Sequence, residues 1–366
     1  MERYTKISII GSGSFGKVYK VKSNEDDKLY VMKRISLSSY DDAEKKSALQ
    51  EVELLADLRH PHICPYIDHY WDDLEGDLCL VMAFCEYGDL YKLIEKRRKS
   101  GEHIPESQVW KWAVQLLLSL QYLHSKHILH RDVKSQNIFI AKTKIVMLGD
   151  FGLSKQLQNT FDMANTPIGT PFYMAPEVME GKPYSYKGDV WALGCVLYEL
   201  CTLKSAFAAN HLPGVVMKVL RGTYAPVNEA QYGESLRNLI KLMLTTEVTE
   251  RPSIKELLRR PEVMAHADAY VAEVEATAEG WDSTWKETVQ SSGAPQVVST
   301  VGEASGETRP DGQMAVESID GDCNVLQGTV LDHQPKTTRA RPPKLRISMA
   351  CRSCFIWCPI ATCHVA

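Results

Sequence analysis

Two alternating runs, Tyr4 to Ile10 and Val18 to Lys22, are separated only by Gly11-Ser12-Gly13-Ser14-Phe15-Gly16-Lys17. Alternation with a period of two marks each run as a strand, and so short a glycine-rich connection allows a turn and little else. Through Val18 the text reads G-x-G-x-x-G-x-V. Glycines let backbone N–H groups approach phosphate oxygens without a Cβ in the way. Dinucleotide-binding folds use the same spacing, but there a helix follows the glycines and an acidic residue closes the βαβ unit about 20 residues on. Here a strand follows, and no Asp or Glu stands in that context. Taken alone the motif is either a phosphate-binding hairpin or a tight turn.

Further short apolar runs, Leu29 to Ile35 and Leu78 to Phe84, extend the strand-rich character to about residue 85. Between them Asp42 to Leu58 has helical spacing, with Ala48, Val52, Leu55 and Leu58 on one face. From Gln108 to His124 a strong helix is expected, burying Val109, Trp112, Ala113, Leu116, Leu117, Leu120 and Leu123. Helical signals return at Lys187 to Leu203, Leu236 to Leu244 and Ser253 to Leu258, and Val263 to Ala278 can extend a helix. A strand-rich piece followed by a helix-rich piece predicts two lobes of an α+β protein. No period of 20–50 residues repeats, which argues against a solenoid or propeller.

The 366 residues allow two or three structural units. Hydrophobic residues at 44% and charged residues at 24% exclude a wholly disordered or fibrous chain. A net charge of −4 argues against a globally basic nucleic-acid binder. No apolar run is long enough for a transmembrane helix, and Met1-Glu2-Arg3-Tyr4 lacks the apolar stretch of a secretory signal, so the cytosol is the default expectation. Cys64, Cys79, Cys85, Cys195 and Cys201 stand in apolar runs without paired spacing and are expected to be reduced core thiols.

Lys33 lies on the strand Tyr30-Val31-Met32-Lys33, and Glu51 lies beside the apolar face of the next helix. Such a pair can hold an ammonium against nucleotide phosphates; the bland alternative is a solvated lysine. The next run decides between them. His130-Arg131-Asp132-Val133-Lys134-Ser135-Gln136-Asn137 is followed by Asp150-Phe151-Gly152 and then by Ala175-Pro176-Glu177. Five signals in one order, each in the context it needs, do not arise by chance.

This constellation resembles the eukaryotic protein kinases over residues 4 to about 261. The resemblance implies a bilobal kinase fold, with a small β-rich N-lobe over 4–85 and a larger helical C-lobe over 86–261. It implies transfer of the γ-phosphate of ATP to protein Ser/Thr hydroxyls. Asp132 is then the base that accepts the hydroxyl proton, Lys134 neutralises the γ-phosphate, and Lys33 paired with Glu51 holds the phosphates. Asn137 and Asp150 offer hard oxygen ligands to Mg²⁺. Ile10, Gly11, Ser12, Gly13, Ser14, Phe15, Gly16, Lys17 and Val18 would cover the nucleotide, with Ile10 and Val18 above the adenine and Phe139 below it. Met82 is the gatekeeper, and Ala83 to Cys85 form the hinge. Lys134 together with Thr170 points to the Ser/Thr class. Glu177 is expected to pair with Arg251, and Asp189 to brace the catalytic loop.

Within the kinases the text is similar to the NIMA-related family. The matching stretches are Tyr30-Val31-Met32-Lys33, Cys85-Glu86-Tyr87-Gly88-Asp89-Leu90 and the run from Trp191 to Lys204. That resemblance implies roles in cell-cycle, cytoskeletal or flagellar and ciliary regulation, protein substrates, and an upstream activating kinase or autophosphorylation at Thr166, whose phosphate Arg131 would bind. Leu153 would favour serine over threonine acceptors. Ser135 replaces the commoner Pro after the catalytic Lys, and Val31 replaces the usual Ala. The coiled coil that often follows the kinase domain in this family has no heptads to support it here.

Residues 262–332 read as an acidic, largely disordered linker, and 333–366 as a basic, cysteine-rich tail. Positions 271–332 carry a net charge of −10, and the tail carries Lys336, Arg339, Arg341, Lys344, Arg346 and Arg352 with no acid. Cys351, Cys354, Cys358 and Cys363 leave three readings: a zinc site of uncommon spacing, a disordered end with incidental thiols, or a lipid anchor. The last four residues, Cys363-His364-Val365-Ala366, satisfy a prenylation motif, and the basic run would supply the second membrane signal that one prenyl chain needs. The rivals to an active kinase are a pseudokinase scaffold and a membrane-targeted signalling adaptor.

Overall fold

The strands at the start of the chain form one antiparallel sheet in the order β1-β2-β3-β5-β4: β1 Tyr4–Gly13, β2 Gly16–Ser23, β3 Leu29–Ser36, β4 Tyr66–Asp72 and β5 Asp77–Ala83. The computed structural model describes residues 3–13, 16–37, 41–72, 76–150 and 171–277. Four of the strands stand where alternation or apolar runs predict them. The edge strand β4 was not predicted, and the reason is physical: all but one of its positions are half-buried, so Tyr-Ile-Asp-His-Tyr-Trp-Asp shows no clean apolar face. In β2–β3 pairing Val18 stands opposite Lys33, and in β1–β2 pairing Gly11 stands opposite Val18. This register sets the glycine turn beside the strand that carries Lys33. Helix α1 (Asp42–Ala56) crosses the sheet with Ala48, Val52 and Leu55 buried, the face that the spacing predicts.

The helical part begins after β5. Helix α2 (Leu90–Ser100) is started by the Asp89 carboxylate, which accepts the Lys92 N–H at 2.8 Å, and stopped by Gly101 at φ 71°. Helix α3 (Glu106–Ser125) is buried along most of its length. A short hairpin, β6 (Ile138–Ile140) and β7 (Val146–Leu148), follows the catalytic-loop sequence. Then come α4 (Pro176–Met179), α5 (Tyr186–Thr202), α6 (Leu212–Arg221), α7 (Glu234–Met243), α8 (Ile254–Leu258) and α9 (Pro261–Thr277). Helices α2 and α6 had no forecast. The α2 text, Leu-Tyr-Lys-Leu-Ile-Glu-Lys-Arg-Arg-Lys-Ser, buries only Leu90 and Ile94, too few apolar positions to announce a helix.

Helix α5 is the central rod: every residue from Gly188 to Cys201 is buried. Its Gly194 is a packing requirement, since a Cβ there would lie 2.8 Å from the Cβ of Met243 on α7. One core runs from Ile35 and Leu37 through α3 and α5 to Val274, while Val21, Met32, Cys79 and Val81 form a small separate cluster in the sheet. Cys64, Cys79, Cys85, Cys195 and Cys201 are free and buried, as expected of core thiols. Residues 262–277 of the stretch read as a linker lie in helix α9; the rest of that linker from 278, the basic tail and Cys363 lie outside the described residues.

Candidate active site

The loop between α3 and β6 is held by a single carboxylate. Asp189, in the first turn of α5, is fully buried. Its Oδ1 accepts the Arg131 N–H at 3.0 Å and the Tyr184 hydroxyl at 2.7 Å. Its Oδ2 accepts the His130 N–H at 3.1 Å and a His124 Nε2–H at 2.8 Å. Burial alone would raise this carboxyl; the bonds from His124 and Tyr184 outweigh it and hold the group below its ordinary value. The bracing role that the resemblance implied for Asp189 thus has a geometry, and His124 and Tyr184 are members of it that sequence reasoning missed. A His in the last turn of a helix carries no signal of its own.

The braced loop bends sharply, with Arg131 at φ 64°. His130, wholly buried, donates from Nε2 to the Gly149 carbonyl at 3.2 Å and accepts the Asp132 N–H on Nδ1 at 3.3 Å. Burial lowers its pKa and keeps it neutral, as that bonding pattern requires. Asp132 then presents its carboxylate beside two partners. Asn137 Nδ2 donates to Asp132 Oδ2 at 2.8 Å and to the Asp132 carbonyl at 2.9 Å, and Lys134 Nζ lies 2.7 Å from Oδ2. The Asn137 amide nitrogen is therefore committed to Asp132, which turns its carbonyl oxygen away from that carboxylate. The Gly149 N–H donates to the Asn137 carbonyl at 2.9 Å, tying Asn137 to the residue before Asp150.

Asp150 stands at φ 53°, a left-handed conformation that its neighbours must enforce. Its Oδ1 accepts a hydrogen bond from Lys33 Nζ, so the strand lysine and the loop aspartate meet as an ion pair. The expected partner of Lys33, Glu51, lies on α1, but its side chain is outside the described residues, as are Ser14, Phe15, Leu153, Thr166 and Thr170. Gly16 is held at φ 130°, and a Cβ there would lie 2.0 Å from the Arg34 carbonyl. Only glycine closes the hairpin at that point. Ile10 is exposed, and Val18, Met82 and Phe139 are half-buried. Gly11 and Ser12 lie on β1 and Lys17 on β2, and Gly13 pairs with Gly16 across the turn. The Cys85 side chain is buried, and the neighbouring Cys64 thiol donates to the Ala83 carbonyl at 3.7 Å.

Two further networks surround the site. Arg251, wholly buried, forks onto Glu177 at 2.8 and 2.9 Å, donates to the carbonyls of Lys187 and Thr245 at 2.8 Å, and lies 5.0 Å from the Trp191 ring centre. This is the pair expected from the resemblance. Ser135, in the place of the commoner Pro, exchanges a 2.9 Å hydrogen bond with the Tyr173 hydroxyl, which donates to Glu199 at 2.5 Å. Burial raises the Glu199 carboxyl. Sequence reasoning noted Ser135 but did not anticipate these partners, because they are brought from two other segments.

Comparison with known proteins agrees with this geometry. The model of the protein kinase domain matches residues 4–262. The chain is 44% identical over 273 residues to the serine/threonine-protein kinase Nek4 of Mus musculus, covering 75% of this chain and 34% of that protein. It is 44% identical over 260 residues to Nek1 of Mus musculus, covering 71% of this chain and 21% of that protein. To Nek5 of Homo sapiens it is 41% identical over 262 residues, 71% of this chain and 36% of that protein. The chain thus spans about a third or less of the length of these curated relatives. It belongs to the protein kinase family, on its NIMA-related branch.

Proposed function

We propose that this chain is a serine/threonine protein kinase that moves the γ-phosphate of ATP to protein hydroxyls. The observation that supports this best is the Asp132 carboxylate, fixed by Asn137 and Lys134 and braced through Asp189. Phosphoryl transfer asks for positioning and charge neutralisation more than covalent help, and these groups supply both. Asp132 accepts the proton of the acceptor hydroxyl and orients it. Lys134 offsets charge on the transferred group. Lys33, now on Asp150, is placed to hold nucleotide phosphates.

The donor set at Asn137 and Asp150, one amide oxygen and one carboxylate, suits a hard cation such as Mg²⁺. When bound there, Mg²⁺ would neutralise charge between the phosphates. The hairpin from Ile10 to Val18 covers the adenine and phosphates, Met82 and Phe139 flank the base, and the Cys85 position contributes through its backbone, since its side chain is buried.

Protein substrates follow from the same reading, with serine favoured by Leu153 and activation at Thr166. Cell-cycle, cytoskeletal or ciliary roles are carried over from the family resemblance. No described helix is long and apolar enough to cross a membrane. Membrane association rests instead on Cys363 and the basic run before it; an intact mass that shows the unmodified C-terminus in cells with working prenyltransferase would refute it. The kinase reading is tested with Mg²⁺, labelled ATP and a peptide library, using Asp132→Asn as the control. Nucleotide binding without transfer by the parent chain would favour a scaffold instead.

A further inference from the structure

Helix α9 begins at Pro261, at the edge of the matched kinase domain, and runs on to Thr277. Val263, Ala267, Tyr270 and Val274 recur every three or four residues and are buried. The stripe packs on α3, where Trp110 stacks on His266 with ring centres 4.1 Å apart and Lys111 pairs with Glu273. Packing of this kind anchors the helix. One contact goes further. The Tyr270 hydroxyl lies 2.9 Å from His62 Nε2, and His62 Nδ1 lies 3.1 Å from the Val146 carbonyl.

The bonding pattern has one solution. A carbonyl only accepts, so Nδ1 carries the proton and donates to Val146, which leaves Nε2 to accept from Tyr270. The Val146 carbonyl thereby fixes the tautomer, and Tyr270 holds the ring orientation of a residue that is 1% exposed. His62 is in turn bound along β7. The Leu148 N–H donates to the His62 carbonyl at 2.9 Å, and the Cys64 N–H donates to the Leu148 carbonyl at 2.8 Å. Gln115 Oε1 on α3 accepts the Val146 N–H at 2.9 Å. Segment 62–64 thus lies beside β7 through the isolated parallel Ile63–Leu148 bridge. Two residues past β7 stands Asp150, in its strained left-handed conformation and bound to Lys33. The same segment is the connection from α1, which carries Glu51, to β4.

We propose that Tyr270, beyond the matched kinase domain, is a positioning residue of the active site: through His62 it holds β7, and so the Asp150 carboxylate, in the place where Mg²⁺ is taken up. This rests on the kinase reading for its catalytic consequence and on geometry alone for its structural one.

The test compares the full chain with Tyr270→Phe, which keeps the ring and removes only the hydroxyl. Amide hydrogen exchange of the segment 146–150 is read by mass spectrometry, alongside the dependence of phosphate transfer on Mg²⁺ at saturating ATP. Exchange across Val146 to Leu148 should quicken by about tenfold or more, as expected when one buried hydrogen bond to a neutral partner is lost. The Mg²⁺ concentration for half-maximal rate should rise by about tenfold, the low end for losing an outer partner of a metal ligand. Because both residues act through one bond, the double variant Tyr270→Phe/His62→Asn should be no worse than His62→Asn alone. Unchanged exchange in this segment, an unchanged Mg²⁺ requirement, or fully additive effects would each overturn the proposal. Should the parent chain transfer no phosphate, the kinase reading fails by itself; exchange and calorimetric Mg²⁺ affinity in the presence of ADP still decide the role of Tyr270.

Discussion

Lys33 and Asp150 are 117 residues apart in the chain and form an ion pair across the site, Nζ donating to Oδ1. Neither side chain is exposed: the lysine retains 11% and the aspartate 34% of its accessible surface. The pair joins the sheet to the loop that follows β7. On the proposed kinase reading a phosphate would compete for the lysine and a cation for the aspartate.

Replacing Lys33 with Met removes the ammonium and leaves Asp150 without this partner. Turnover should fall by about 10² or more, the cost of deleting a positioned charge from a transition-state site. Steady-state rates with a peptide acceptor check it; turnover within a fewfold of the parent would remove Lys33 from the mechanism.

Asp132→Asn keeps the size of the side chain and its reach to Asn137 and Lys134, but the amide cannot take the hydroxyl proton. The expected loss in kcat is about 10² or more, with ATP affinity retained. Measured separately by calorimetry and by rate, the two quantities should part company.

Glu177→Ala strands the wholly buried Arg251 guanidinium. Breaking one side of a buried pair typically costs about 3–5 kcal/mol. Urea unfolding should show a loss of that order, and a change under about 1 kcal/mol would mean that the carbonyls of Lys187 and Thr245 already suffice for the arginine.

Acid should weaken the fold through the buried His62 and the half-buried His60 beside it. Burial lowers the pKa of His62 to about 4 and that of His60 to about 3, from an ordinary 6.5. The rings are neutral in the fold, while the unfolded chain takes up protons as pH drops through 6.5. Stability is therefore full above pH 6.5 and is lost as pH falls toward 4, by about 1.4 kcal/mol per pH unit for His62 and by less for the partly exposed His60. His60, His62, Tyr122 and Tyr270 face one another here, and no carboxylate is among the causes of either shift. Urea midpoints between pH 7 and pH 5 should fall in the parent and fall less steeply in His62→Gln.

Thr166→Ala should lower activity and increase protease cleavage of the loop if phosphate on Thr166 binds Arg131. A phosphate adds nearly two negative charges and accepts charge-assisted forks from arginine. Parent-like activity together with parent-like cleavage would refute the switch.

Much of this was legible beforehand because it is local. Period-two alternation gave β1 and β2, apolar runs of strand formers gave β3 and β5, and helical spacing gave α1, α3, α5 and α7 to α9. Strand β4 and helix α2 escaped because each buries too little of its own surface to impose a period, α6 because its opening Leu212-Pro213-Gly214 reads as a turn, and β6, β7 and α4 because they are too short to show one. The site residues were legible as motifs, since Asp132, Lys134 and Asn137 lie within six positions and their relation follows from one turn of chain. Their supports were not. His124, Tyr184, Tyr173, Glu199 and Tyr270 are ordinary residues until a distant segment is laid against them.

By itself the sequence determined which groups support the proposed chemistry: a glycine turn between strands, an aspartate with an amide five residues on, and a second carboxylate after a short hairpin. Such features depend on backbone freedom, charge and spacing, which are written locally. Only the tertiary structure decided which partner each group has. It gave Lys33 to Asp150, set four hydrogen bonds on Asp189, and carried α9 past the kinase boundary to reach His62. Those pairings come from packing of elements far apart in the chain, where burial leaves a polar group one available partner, and no local pattern encodes which partner that will be.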